Sequence, residues 1–475
     1  MELDTGALEL FLSEYAARNK VPGMSVCVSG PEGTMYKKGF GYRSLDEAKP
    51  VGADTIFGIA SMTKSVTCAC LAILESEGKL SFQDPAAKYL PGLRIPGTPR
   101  EALLIHNLAN MTSGLPPLPT LMMSLATHTK LGPWAGAEAL AAAKLLRTPC
   151  YTTIEEIIEY ITDSDDYEPT GAPGEYMSYS NDSYALLSSI ADAASGSTLE
   201  RFAYERLFAP LGMTRTTFDV SEAKAMGNIT SLFVEQDGQL HCTDDWPEAP
   251  PYRGCGWLKS TSEDMCVYYE MMANDGVYRG KRILPEGCVS RMVGRSFPET
   301  AESVYCYGLN KRIFHDTVIC EHAGSLFGVS SKGGLFKDNG YAAVVLMNKS
   351  EIDPGAPLNA IFNSLLGLPL DTSHMALHPA GAGPEDPQIY AGTYSSNEFY
   401  PKRPLEVFIG GDGGLRANTP EGECSLLFCD TTRFIISDGK KPLDQCGVVR
   451  FLLRDGKVWA AQESTRVIRK EGAGI

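Results

Sequence analysis

Strand-like sequence occurs near residue 24 and again near residue 307, and the stretch between reads largely as helix. That order restricts the fold more than any other feature, because the two strand blocks must meet in one sheet while the intervening chain packs outside it. Residues 7–19 carry apolar positions at helical spacing, and MSVCVSG (24–30) and GTMYKKGFGY (33–42) follow as a hairpin across the turn SGPEG. A helix is expected from about Ser61 to Glu77, ended by Gly78. Residues 85–245 are expected to be mostly helical. The segments 307–316, 317–324, 330–338 and 341–348 then read as consecutive antiparallel strands, and a helix at 356–366 closes the unit. The expected class is α/β, an antiparallel sheet flanked by helices with a large helical insertion.

A chain of 475 residues exceeds one ordinary core. The stretch PAGAGPEDPQ (379–388) reads as a linker, and beyond it short strands alternate with tight turns. LEVFIG-GDGG-LRAN (405–418) and VVRFLLR-DG-KVWAAQ (448–462) are hairpin signals. The expected division is residues 1–375, a linker at 376–388, and a separate antiparallel, barrel-like β domain at 389–475. Three roles stay open for the last part: shaping a pocket, mediating oligomers, or binding a ligand itself.

The net charge of −16 argues against nucleic-acid or anionic-membrane partners. No run of eighteen apolar residues suggests a membrane span. The acidic start MELDTGALEL lacks the basic region of a signal peptide. The 13 cysteines show no paired metal-type spacing, so the expected location is a reducing cytoplasm and no metal or other cofactor is expected. A homo-oligomer is compatible with all of this. The stretch 121–146, rich in Met, Leu and Ala, is either core packing or a lid over an apolar pocket.

Three short motifs carry chemistry. Ser61 and Lys64 share a face at the start of a helix, where free N–H groups and the dipole favour a developing negative charge. The same spacing recurs at Ser221/Lys224, read as a helix cap, and at Ser437/Lys440, read as a turn, so the motif alone decides little. Tyr179-Ser180-Asn181 is the only Tyr-x-Asn in the chain. A phenol held against an ammonium ion is a candidate general base, because the cation favours the phenolate. His322-Ala323-Gly324 follows on a late strand, read as an edge, where a glycine admits a close backbone and a strand N–H faces an oxyanion. Lys332-Gly333-Gly334 also fits a Lys-x-Gly pattern but is read as a turn.

In this order the motifs resemble those of the serine β-lactamase and penicillin-binding superfamily. The flanks TIFGIASMTKSVT, LANMTSGLP, PGEYMSYSNDSY, FAPLGMTRTTF and CGWLKSTSEDM resemble its class C β-lactamase-like branch, which includes esterases, D-aminopeptidases and DD-peptidases. The likeness covers roughly residues 5–370, and the tail from YAGTYSS resembles the lipocalin-like domain of some members. The resemblance implies a β-lactamase-like fold and a serine hydrolase acting on a small ester or amide. Ser61 is then the acylated nucleophile, Lys64 and Tyr179 share its proton, and Asn181 holds Lys64 and the substrate. Ser325 and Ser61 supply oxyanion N–H groups beside His322 and Gly324. One departure stands out: class C β-lactamases carry Lys-Thr-Gly where this chain has His-Ala-Gly. That implies an esterase, amidase or peptidase rather than a true β-lactamase. Acyl transfer, a D-amino-acid-specific peptidase and a non-catalytic acyl-ligand binder stay as alternatives.

Overall fold

The computed structural model describes residues 1–473 apart from 46–47, 129–150, 237, 295, 299–302, 338, 376, 399–402 and 420–421. Among the described residues nine strands form one antiparallel sheet. Its central strand, Val329–Phe336, is followed by Ala342–Met347, which pairs on its other side with Gly23–Gly30. The first and last strands of the sheet in chain order are thus neighbours, as the two-block pattern requires. Successive side chains of a strand point to opposite faces. Ala342, Val344 and Leu346 accordingly join one apolar core, and Ala343, Val345 and Met347 join another.

The second core is covered by the helices Thr5–Arg18 and Gly355–Leu365, through Leu8, Leu12, Leu358, Ile361 and Phe362. The first lies under the helix Thr63–Ser76, in which every residue from Thr63 to Leu74 is buried. A helix apolar on all sides belongs inside a molecule, and this one is enclosed by the sheet and by helices from the insertion.

The insertion departs from the expected helical character in one place. Leu232–Gln236 and Gln239–Thr243 form a β-hairpin. The Asp237-Gly238 turn signal is present in the sequence, but Leu232, Phe233 and Val234 are consecutive, so the strict alternation that marks a half-buried strand is missing. In the stretch 121–146, Leu121 and Met123 lie in the helix Thr120–His128 and are buried in the core. The remainder, from 129 onward, lies outside the described residues.

Beyond residue 386 eight antiparallel strands close into a barrel. Its interior is apolar, with Tyr394, Val407, Leu426, Phe434 and Phe451 facing one another. In the hairpin Gly447–Arg454/Lys457–Glu463 the two turn residues Asp455 and Gly456 both have positive φ (50° and 76°), which matches the twist of the flanking strands. The barrel is not free-standing. Leu452, Trp459, Ala460 and Val467 point outward from it and are buried around Tyr176 of the sheet-and-helix unit. Arg454 pairs with Glu175, and Arg469 with Glu168. No helix among the described residues is long and apolar enough to cross a membrane.

Candidate active site

Ser61 sits in a single 3₁₀ turn, Ala60–Met62, and the α-helix proper begins at Thr63. Ala60 adopts a left-handed conformation (φ 45°), which is costly for a residue with a Cβ and is held by its surroundings. Ile59 N–H donates to Leu258 O (3.1 Å), the Thr63 hydroxyl to Ala60 O (2.7 Å), and the Ser331 hydroxyl to Ile59 O (2.8 Å). The turn is therefore pinned from the helix, from the sheet and from the segment 255–260.

Lys64 is fully buried one turn on. Its Nζ lies 2.9 Å from Ser61 Oγ, 3.0 Å from Asn181 Oδ1 and 2.9 Å from the carbonyl of Cys255. The same nitrogen stands 4.8 Å from the centre of the Tyr179 ring. Asn181 opens the helix Asn181–Ser195, which Ser180 caps through the N–H of Ser183 (3.1 Å). Cap and helix start fix the direction of Asn181, and the buried Asp182 beside it is anchored by Thr120 (2.5 Å) and Tyr252 (2.8 Å). Burial pushes the Asp182 carboxyl up to about 6.

The His322 strand is not an edge. Thr317–Leu326 lies inside the sheet, between Asn310–Phe314 and Val329–Phe336. Its partner on one side ends opposite Glu321, so residues 322–326 run on with that side unpaired, and this open half-strand borders the cleft. Gly324 meets a need different from the one expected. A Cβ there would stand 2.3 Å from Ile59 O and 2.5 Å from Ser331 Oγ, so the glycine lets the strand press against the turn that carries Ser61. Gly324→Ala is expected to lower stability by about 1–3 kcal/mol, the usual scale for overpacking, and to reduce kcat as the strand is pushed off the turn. Chemical denaturation and steady-state kinetics on the same preparation check both effects.

His322 is buried. Its Nδ1 is 2.6 Å from the Ala323 carbonyl and its Nε2 is 3.1 Å from the Tyr305 hydroxyl. A carbonyl only accepts, so Nδ1 carries the proton and Nε2 accepts from Tyr305. The hydrogen bond thus goes to Tyr305 rather than to Tyr179, whose ring centre is 6.3 Å from that of His322. Burial, helped by the Lys64 charge, pushes the imidazole down to about 3, which leaves it neutral near pH 7.

Ser61, Tyr179, Asn181, His322, Gly324 and Ser325 all line one cleft of about 430 Å³. Lys64 lies directly beneath Ser61. The cleft also contains residues that sequence reasoning missed or misplaced. Lys332 is on the strand Val329–Phe336, opposite Ala323, and not in a turn. Its two glycines serve packing: a Cβ on Gly333 would meet Tyr269 at 2.3 Å, and one on Gly334 would meet Glu321 at 2.9 Å. Lys332 and Arg312 share a single buried carboxylate, Glu321 (3.1 and 2.8 Å). Burial alone would raise the Glu321 carboxyl, but the two cations outweigh it and hold it near 2. Two cations therefore share one carboxylate at contact distance beside the His-Ala-Gly strand.

The barrel supplies the remaining wall. Tyr179 N–H donates to Thr465 O (2.8 Å), and Val467 N–H donates to Ser178 Oγ (3.2 Å). The Arg466 guanidinium stands 5.2 Å from the Tyr179 ring centre and is paired with Glu398 (2.7 Å). No local pattern announces Thr465 or Arg466, because their partner Tyr179 is remote in sequence and is reached only by docking of the barrel.

The comparisons agree with this architecture. The Beta-lactamase family profile matches residues 8–367. Protein Rv1367c of Mycobacterium tuberculosis is 29% identical over 270 residues, covering 53% of this chain and 62% of that protein. A D-aminopeptidase of Brucella anthropi is 25% identical over 357 residues, covering 73% of this chain and 60% of its own length. The chain thus spans about three fifths of the length of these two relatives. Among solved structures, the octameric penicillin-binding protein homologue from Pyrococcus abyssi superposes with a TM-score of 0.67 at 24% identity, covering 98% of this chain and all of that one. That likeness extends through the barrel and speaks to the fold. With the profile spanning the whole sheet-and-helix unit around Ser61, the chain belongs to the β-lactamase family.

Proposed function

We propose that the chain is a serine hydrolase that cleaves an amide or ester through an acyl-enzyme on Ser61, with a carboxylate on the substrate close to the scissile bond. The observation that carries the reading is the setting of Lys64. Two of its three contacts, Asn181 Oδ1 and the Cys255 carbonyl, can only accept, so two N–H groups are committed and the remaining position of Nζ always faces Ser61. As an ammonium Lys64 donates to the hydroxyl; as an amine it takes the hydroxyl proton. Tyr179, packed against the same nitrogen, is the other member of the relay.

In this mechanism Ser61 Oγ attacks the substrate carbonyl while its proton passes to the Lys64–Tyr179 pair. The pair returns that proton to the departing amine or alcohol, and water then attacks the acyl-enzyme. The backbone N–H groups of Ser61 and Ser325 take the oxyanion. Asn181 fixes Lys64 with its oxygen and offers its NH₂ to a substrate carbonyl. Residues 1–375 carry the chemistry, and 389–475 close the cleft through Thr465 and Arg466.

Arg312 and Lys332, two cations against the one carboxylate of Glu321, favour the carboxylate on the substrate. They restore on the neighbouring strands the cation that His322 does not provide. Relatives named as a D-aminopeptidase and a putative D-alanyl-D-alanine carboxypeptidase favour D-configured peptides. A peptide ending in D-alanyl-D-alanine is expected to be cleaved with kcat/KM at least about tenfold above that of its C-terminal amide, the scale of one charge-assisted hydrogen bond. A short p-nitrophenyl ester, whose leaving group needs no proton from the Lys64–Tyr179 pair, is expected to be turned over faster than nitrocefin. Preference for the amide would remove the carboxylate from the reading. Nitrocefin turnover at or above that of the ester would move the assignment toward a β-lactamase.

A further inference from the structure

A second cavity, of about 1100 Å³, shares no lining residue with the cleft at Ser61. Phe208, Met213, Phe218 and Trp257 make an apolar wall. Lys259 reaches into this wall although it is only 3% exposed. It lies on the two-residue strand Lys259–Ser260, which pairs with Phe57–Gly58 immediately before the nucleophile turn.

The Lys259 amine donates to the Phe218 carbonyl (2.7 Å). The carboxylates of Glu248 and Asp219 act on it only through space. Burial outweighs them and pulls the amine down to about 8, so it is still mainly charged near neutral pH. An ammonium has three N–H donors, and a buried cation lacking an anion in contact is expensive. The acids are unevenly occupied. Asp219 caps the helix Val220–Ala225, and Glu222 accepts from the Thr217 hydroxyl (2.6 Å). Glu248 is half-buried and has no hydrogen-bond or ion-pair partner among the described residues. Among the described residues the cavity therefore holds a buried cation with no anion in contact, an acid with no cation in contact, and an apolar wall.

We infer that this cavity binds a small zwitterion with an apolar side chain, a free amino acid or dipeptide, its carboxylate on Lys259 and its ammonium on Glu248. A neutral or singly charged apolar molecule would leave one of the two groups uncompensated. The site is independent of the hydrolase reading, yet it adjoins the same machinery. The segment that presents Trp257 and Lys259 to the cavity is the one whose Cys255 carbonyl holds Lys64.

Isothermal titration of the full chain with norleucine, in both enantiomers, tests the inference. Norleucine amide lacks the carboxylate and hexanoate lacks the amine, and each is expected to bind at least about tenfold more weakly. Lys259→Met is expected to weaken norleucine by a similar factor. Met226→Trp, which adds bulk at an exposed lining position and changes neither charged group, is expected to do the same and keeps the test decisive if Lys259→Met does not fold. Norleucine binding that survives Met226→Trp unchanged would place the ligand elsewhere and overturn the proposal. Equal binding of the amide or of hexanoate would overturn it too, as would the absence of norleucine binding at millimolar concentration.

Discussion

Ser61→Ala is expected to abolish labelling by a fluorophosphonate probe and to lower kcat/KM by at least about 10⁴-fold, the order seen when a nucleophile is removed from a unit that acts together. Three features of the structure single out this serine. Its Oγ is 2.9 Å from the buried amine of Lys64. It stands at the mouth of the cleft that Tyr179, Asn181 and Ser325 also line. Its turn is fixed by hydrogen bonds from three separate segments, so the hydroxyl does not have to be ordered when substrate arrives. The other three serines with a lysine three residues on lack this setting: Ser76 closes the helix Thr63–Ser76 and donates to the Ile73 carbonyl (2.7 Å). Ser221 is inside the short helix Val220–Ala225, which Asp219 rather than Ser221 caps, and Ser437 ends a barrel strand. Mass spectrometry of the labelled peptide checks the prediction, and label retained by the alanine variant would transfer the nucleophile to another residue.

Much of this organisation is legible in the sequence, for reasons that differ by level. The strands around residue 345 are continuous apolar runs because both faces of the sheet are covered, and such runs identify buried strands without their neighbours being known. The helix after Ser61 shows itself by the absence of a polar face. The motifs of the cleft are recognisable because each has a local constraint: a helix start, a cap, a strand end. What escaped depends on contacts between remote segments. Lys332, further along the His-Ala-Gly stretch, reads as a turn between strands, whereas it lies on Val329–Phe336 and its two glycines clear space for Tyr269 and for the Glu321 strand. Arg466 belongs to a barrel that reads as separate, and only the outward-facing Trp459 and Val467, apolar where a free barrel would be polar, could have hinted that this face is covered. The hairpin at 232–243 escapes because the consecutive Leu232, Phe233 and Val234 break the alternation.

The division of labour between Lys64 and Tyr179 gives the second large effect. Lys64→Met keeps the aliphatic stem in its buried channel and removes the amine, and it is expected to lower the acylation rate by about 10²–10⁴-fold, the range for loss of a general base. Tyr179→Phe retains the ring that packs against Lys64 and Arg466 and removes only the hydroxyl. It is expected to cost at least about 10²-fold in kcat/KM for a substrate with a poor leaving group. The loss should be smaller for an activated p-nitrophenyl ester, whose leaving group needs no proton. A third candidate, His322, is ruled out of the relay by its chemistry. Both ring nitrogens are engaged, by Ala323 and Tyr305, and burial keeps the ring neutral down to about pH 3. His322 therefore leaves no titration of its own on the pH profile of kcat/KM between pH 5 and 9. His322→Gln should leave the position of that profile unchanged even where it lowers the rate by loosening Tyr305. A profile displaced by His322→Gln, or a Tyr179→Phe variant as active as the native protein on a peptide, would require a different base. Single-turnover acylation measured across pH for the three variants separates these outcomes. It does so because removing a proton acceptor changes the shape of the profile, whereas a loss of packing lowers it evenly.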